Sequence, residues 1–165
     1  MATTALGGNP VTTVGDLPRV GSSAPAWDLV GQNLGPISSA GSAGRRTVLN
    51  IFPSIDTGTC ASSVRHFNDL AAGFDNTLVV NVSNDLPFAQ ARFCGAEGIG
   101  NVQVGSAFRS SFGDDFGVTL VDGPMAGLLA RAVVVVDTDG TVIHSQLVPE
   151  IADEPDYGSA VAALG

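Results

Sequence analysis

RTVLNIFPSIDTGTCASSVRHFNDLAA, running from Arg46 to Ala72, decides how this chain is read. Its opening, Arg46 to Pro53, is a β-branched and apolar run stopped by a proline, the pattern of a buried strand. The segment SIDTGT then makes a turn. Beyond it, Cys60, Val64, Phe67 and Ala71 recur at i, i+4, i+7 and i+11, which predicts an amphipathic helix from about Cys60 to Ala72. TLVVNVS, Thr77 to Ser83, repeats the buried-strand pattern and completes a βαβ unit.

Working outward, DLPFAQARFC places Pro87 where a first helical turn accepts it, and Gly95 is expected to end that helix just past Cys94. SAFRSSFG, Ser106 to Gly113, reads as another short helix. ARAVVVVDTDGTVIHSQLV is a hairpin pattern, two apolar runs around Asp137-Thr138-Asp139-Gly140. PDYGSAVAALG closes the chain as a helix. The first 45 residues are rich in Gly, Pro, Ser and Thr, with short alternations such as PVTTVG and AWDLVG. They predict turns joining short strands, with a hairpin at the N-terminus. The expected fold is therefore α/β: one domain over residues 1–165, a mixed β-sheet flanked by helices, in the outline of the thioredoxin fold.

Composition narrows the function. A chain of 165 residues, 44% hydrophobic, can bury a core, and no run reaches the length of a membrane span. The net charge of −9 argues against nucleic acid or an anionic membrane as partner. All seven cationic side chains are arginine. MATTALGGNP has neither a basic n-region nor an apolar h-region, so a cytoplasmic location with reduced thiols is expected. The two histidines and two cysteines form no zinc-type spacing, and no metal or cofactor is expected.

Cys60 is the focus of the chemistry. At the start of a helix, free N–H groups and the dipole favour an anion, and a thiolate is the nucleophilic form of cysteine. Thr57, three residues earlier, stands where an N-cap hydroxyl would meet the first-turn amides, or where it would face whatever reacts with the sulfur. Read locally, Cys60 is equally a buried helix cysteine. Cys94 lies 34 positions on, so the two make no C-x-x-C exchange site. They are either a permanent staple or a reversible pair, in which one thiol resolves the sulfenic acid of the other. His66 falls about 120° round the helix from Cys60 and is a poor dyad partner, suited to the surface. His144 reads as a solvated strand position, and Arg131 as a strand-end arginine paired with an acid. Arg92 and the Asp114-Asp115 pair read as surface, and Phe88, Phe93 and Phe112 as core, or in part as the lining of an apolar mouth to the site.

PSIDTGTC fits the P-x-x-x-T-x-x-C motif of peroxiredoxins. DLPFAQARFCGAEG, SSFGDDFGV, GPMAGLLARAVVVVD and LVPEI resemble blocks of the thiol peroxidase subfamily, the atypical two-cysteine peroxiredoxins, and the likeness spans nearly the whole chain. The resemblance implies that Cys60 attacks peroxide and becomes a sulfenic acid, and that Thr57 hydrogen-bonds the thiolate and the peroxide. It implies that Pro53 shields the pocket and that Arg131 holds the sulfur and stabilises the leaving oxygen. It makes Cys94 the resolving cysteine, joined to Cys60 in an intramolecular disulfide that thioredoxin reduces, in a homodimer. Gly58-Thr59 departs from the proline and valine common in relatives and puts the stiffness of that loop in question. The rival expectation is a redox sensor that uses the same two cysteines without turnover.

Overall fold

The computed structural model describes residues 1–165. An N-terminal hairpin, β1 (Thr3–Leu6) and β2 (Asn9–Thr12), stands apart as a two-stranded antiparallel sheet. Its turn is Gly7-Gly8, both at positive φ, as a tight hairpin requires. The main sheet draws on β3 (Asp28–Gly31), β4 (Pro36–Ser38), β5 (Arg46–Ile51), β6 (Thr77–Ser83), β7 (Gln103–Ser106), β8 (Ala132–Val136) and β9 (Val142–Leu147). Their order across the sheet is β4-β3-β7-β6-β5-β8-β9. β5, β6 and β7 run parallel; β8 and β9 add on antiparallel at one side, β3 and β4 at the other. The helices are α1 (Gly58–Ala71), α2 (Pro87–Glu97), the short α3 (Phe112–Asp115) and α4 (Tyr157–Ala163).

Both faces of the sheet are covered, which explains why its central strands β5, β6 and β8 are almost continuously buried and mostly apolar rather than alternating. On one face Leu49, Ile51, Val80, Val82 and Val134 pack with Trp27, Phe112 and Phe116. On the other, Val48, Val79, Val133 and Val135 meet Phe67 of α1 and Ala160 of α4. The arrangement is the expected thioredoxin-like one: a mixed sheet flanked by helices, with the N-terminal hairpin in place.

Three expectations need correction. SAFRSSFG is no helix at its start: Ser106 ends strand β7, and helical turns begin only at Phe112. QVGS escapes the strand pattern in part because Gly105 is small for a packing reason. A Cβ on Gly105 would sit 2.8 Å from the Leu29 side chain, so β3 crosses close only over a glycine. Helix α2 passes through Gly95 and ends instead at Gly98, whose left-handed φ of 66° and N–H to the Cys94 carbonyl form the cap. Phe88 is not core. The buried face of α2 is Pro87, Gln90 and Cys94, which leaves Phe88 67% exposed; Phe93 is partly buried and Phe112 fully so.

Candidate active site

The strand-to-helix elbow puts Cys60 in the first turn of α1, completely buried, among Phe52, Ile55 and Val64. Beneath it a buried polar ladder fixes the helix to the sheet. Ser63 Oγ donates to the Cys60 carbonyl at 2.8 Å, and Asn50 Nδ2 donates to Ser63 Oγ at 3.1 Å and to Asn81 Oδ1 at 2.9 Å. Asn50 and Asn81 are partners in the β5–β6 register, so the ladder crosses two strands. Breaking any of these buried bonds costs about 1–3 kcal/mol, so together they specify one placement of the helix, although Asn50 Oδ1 itself has no partner.

Arg131 enters from the residue before β8. It is 2% exposed, and no carboxylate lies in ion-pair contact with it, against the expectation of an acid partner. Its Nε donates to the Ile151 carbonyl at 2.6 Å and its Nη2 to Cys60 Sγ at 3.1 Å. Nη1 is buried and has no partner. A buried donor left without an acceptor is costly unless something else occupies that place. The carbonyl that aims Arg131 is itself held: Ile151 N–H donates to Ala5 of the N-terminal hairpin, and Thr59 Oγ1 at the head of α1 donates to the next carbonyl, Ala152, at 2.9 Å.

Pro53 is buried at the bend after β5. Thr57 is the N-cap residue of α1, but its hydroxyl neither caps the helix nor contacts the sulfur. It donates back to the Ser54 carbonyl at 3.0 Å, closing a local turn. The structure therefore brings Arg131 to Cys60 directly, with Thr57 turned one contact away.

Cys94 lies in the last turns of α2, buried, with no disulfide to Cys60. Burial pushes its thiol above the usual range, which keeps it protonated and unreactive while the helix is folded. Its neighbour Phe93 packs against the Cys60 cluster, so the two cysteines belong to adjoining helices that face the sheet separately. Two exposed ion pairs, Arg92–Asp56 at 3.2 Å and Arg65–Glu97 at 2.8 Å, link α2 to the elbow and to α1, and such pairs contribute at most about 1 kcal/mol each.

The remaining titratable residues are peripheral. His66 is exposed and stacks on Tyr157 at 3.7 Å between ring centroids, in keeping with a surface role. His144 is not solvated as expected: it is half-buried under α4, its Nε2 without a partner, and burial lowers its pKa against an opposing pull from Asp156. Asp114 and Asp115 only accept from Thr119 and Ser111.

Sequence reading missed Asp85. Its carboxylate accepts from Ser54 Oγ at 2.8 Å, from Ile55 N–H at 2.7 Å and from Ser83 Oγ at 2.6 Å, holding the elbow from below. An acid just ahead of Pro87 reads as a helix cap, and only tertiary structure reveals that it serves a different helix.

The chain is similar to known proteins over nearly its whole length. Residues 19–161 match the Redoxin family. A thiol peroxidase from Mycobacterium tuberculosis is 61% identical over 165 residues, all of this chain and 99% of that one. A thiol peroxidase from Corynebacterium glutamicum is 56% identical over 164 residues, 99% of each. Among solved structures, a peroxiredoxin-like protein from Aquifex aeolicus superposes with a TM-score of 0.95 at 41% identity, over 99% of this chain and 96% of that one.

Proposed function

Because this chain belongs to the redoxin family, as a thiol peroxidase of the peroxiredoxin type, we propose that its catalytic groups are Cys60, Arg131, Thr57 and Cys94. The observation that carries the proposal is the buried Arg131 guanidinium, one N–H on the Cys60 sulfur and another without a partner beside it. Such a fork can hold a thiolate and an oxygen at once. The Cys60 thiolate attacks the terminal peroxide oxygen, forming an S–O bond as the O–O bond breaks. The other oxygen departs with the electrons of that bond, as hydroxide from hydrogen peroxide or alkoxide from an organic hydroperoxide, and takes up a proton to give water or an alcohol. The free Nη1–H stabilises the negative charge growing on the departing oxygen. Thr57, freed from Ser54 by a side-chain rotation, positions the peroxide, and Pro53 shields the site from bulk water.

The Cys94 thiol then displaces water from the sulfenic acid, forming the Cys60–Cys94 disulfide. A thioredoxin dithiol supplies two electrons and two protons to restore both thiols and is itself oxidised to a disulfide. Cytoplasmic location and a homodimer complete the reading; Leu86 and Phe88, both more than half exposed at the head of α2, are apolar surface that a second copy could cover. No helix is long and apolar enough to cross a membrane.

The test is peroxide-dependent NADPH oxidation with thioredoxin and thioredoxin reductase. Turnover by the wild type, its loss in Cys60→Ser, and a single unrecycled oxidation in Cys94→Ser are expected. A wild type that is oxidised once and never turns over with thioredoxin would defeat the recycling step. An intact Cys94→Ser cycle would remove Cys94 from the mechanism.

A further inference from the structure

We infer that Asp85 is a positioning residue that sets the reactive geometry at Cys60 and, through the same carboxylate, restrains the helix that carries Cys94. The inference rests on the peroxidase reading above and assigns a role to a residue that touches neither sulfur nor substrate. One arm of the hub runs to the peroxide side. Asp85 Oδ1 holds the Ser54 hydroxyl and Oδ2 holds the Ile55 amide. The Ser54 carbonyl in turn accepts from both the hydroxyl and the amide of Thr57. Asp85 thus fixes the residue on which the Thr57 hydroxyl is parked, and with it the entry angle of α1 into Cys60.

The other arm runs to the resolving side. Oδ2 also accepts from Ser83 Oγ, and that hydroxyl accepts from Nε2 of the fully buried Gln90 at 3.0 Å. Gln90 donates as well to the Gly105 carbonyl at 3.1 Å, fastening α2 to β7. Cys94 follows four residues later, one helical turn on the same face, and is 4% exposed. For its sulfur to reach Cys60, this face of α2 must leave the sheet. The Gln90–Ser83–Asp85 chain opposes that movement in proportion to how firmly Asp85 orients the Ser83 hydroxyl.

The two arms predict opposite effects on two successive steps. Without the carboxylate, the elbow loosens and attack on peroxide slows by about tenfold, since misplacement of a reacting group by a fraction of an ångström carries costs of that order. Disulfide closure, by contrast, quickens by about threefold, because α2 opens more readily. A residue needed only for folding would slow both steps together.

Full-length reduced protein is mixed with hydrogen peroxide, quenched with acid, alkylated and weighed by mass spectrometry to follow thiol, sulfenic acid and disulfide separately. Failure of the wild type to oxidise at Cys60 would refute the peroxidase reading and leave nothing for Asp85 to position. With the wild type active, Asp85→Ala should show slower oxidation and faster closure. Equal slowing of both steps, or no change in either, overturns the inference. Should Asp85→Ala not fold, Asp85→Asn and Ser54→Ala serve. Asp85→Asn can retain both bonds on Oδ2, and Ser54→Ala cuts only the elbow arm. Both should slow oxidation less than tenfold with closure at the wild-type rate; slowed closure in either overturns it as well.

Discussion

Replacing Arg131 with methionine separates catalysis from folding more cleanly than any other change at this site. The guanidinium makes one bond to the Cys60 sulfur and has a second buried donor, Nη1, without a partner, which in the proposed mechanism serves the departing oxygen. Charge-assisted bonds contribute about 1.5–3 kcal/mol each. Removing a preorganised donor from a developing oxyanion costs about 2.7–4 kcal/mol. Part of the first bond is already made before reaction, so only its strengthening counts toward the barrier. A combined loss of about 3–4 kcal/mol follows, or about 10²–10³ in the second-order rate of Cys60 oxidation. Stability should move the other way. Arg131 is a buried cation with no carboxylate in contact, and an apolar side chain removes its desolvation cost while leaving the Ile151 carbonyl and the Cys60 sulfur without this donor. Rapid-quench oxidation by hydrogen peroxide gives the rate, and thermal unfolding of the reduced protein gives the stability. A variant as stable as the wild type and less than threefold slower would refute the role given to Arg131. A variant slowed only because it unfolds at the assay temperature would refute the claim that the cation is there for chemistry.

Three other outcomes are expected. Phe67→Ala, which empties a fully buried position between α1 and the sheet, should cost about 3–5 kcal/mol and lower Tm by about 6–20 °C, with a proportionate loss of soluble protein; a shift under 3 °C, by calorimetry, would mean the position can collapse. Cys94, neutral and covered in the folded helix, should react with iodoacetamide in native reduced protein at least about tenfold more slowly than in urea; equal rates would show that α2 is already open. His144, whose folded pKa is held below the ordinary 6.5 by burial, makes the unfolded chain the better proton binder, so stability should fall as pH drops below about 6.5. His144→Gln should flatten that limb of the urea-midpoint profile, and an unchanged limb would assign it to other groups.

The parts of the molecule legible in the sequence are those where one element carries its own signal. The β5–α1 elbow announces itself through a proline-stopped apolar run followed by a helical period, and the β8–β9 hairpin through valines around an Asp-Gly turn. β7 was illegible because its composition answers to the neighbouring strand β3, which needs a glycine at 105. Cys60 and Cys94 stood out by scarcity. Arg131 required the family pattern, whereas Thr57 was singled out by its spacing from Cys60 as well; its turned-back hydroxyl was invisible to both, since a rotamer is chosen by local hydrogen bonding that no residue type encodes. Asp85 and the Ile151 carbonyl were illegible for a further reason. The first acts on residues some thirty positions away, and the second acts through backbone, which has no letter of its own.

The carbonyls of Ile151 and Ala152 have a consequence for how the enzyme is made. A nascent chain exposes Cys60 and Cys94 to the cell well before residue 151 emerges from the ribosome. Until it does, Arg131 has nothing to aim it and Thr59 has no acceptor at the head of α1. The N-terminal hairpin is completed there as well: its β1 edge and turn dock through the Ile151 amide and Glu150, whereas Thr12 of β2 is held by the earlier Val121 and Asp122. On the proposed mechanism, synthesis order therefore delays the peroxide-reactive state of Cys60 until residues 151 and 152 are in place, long after the thiol itself has been made.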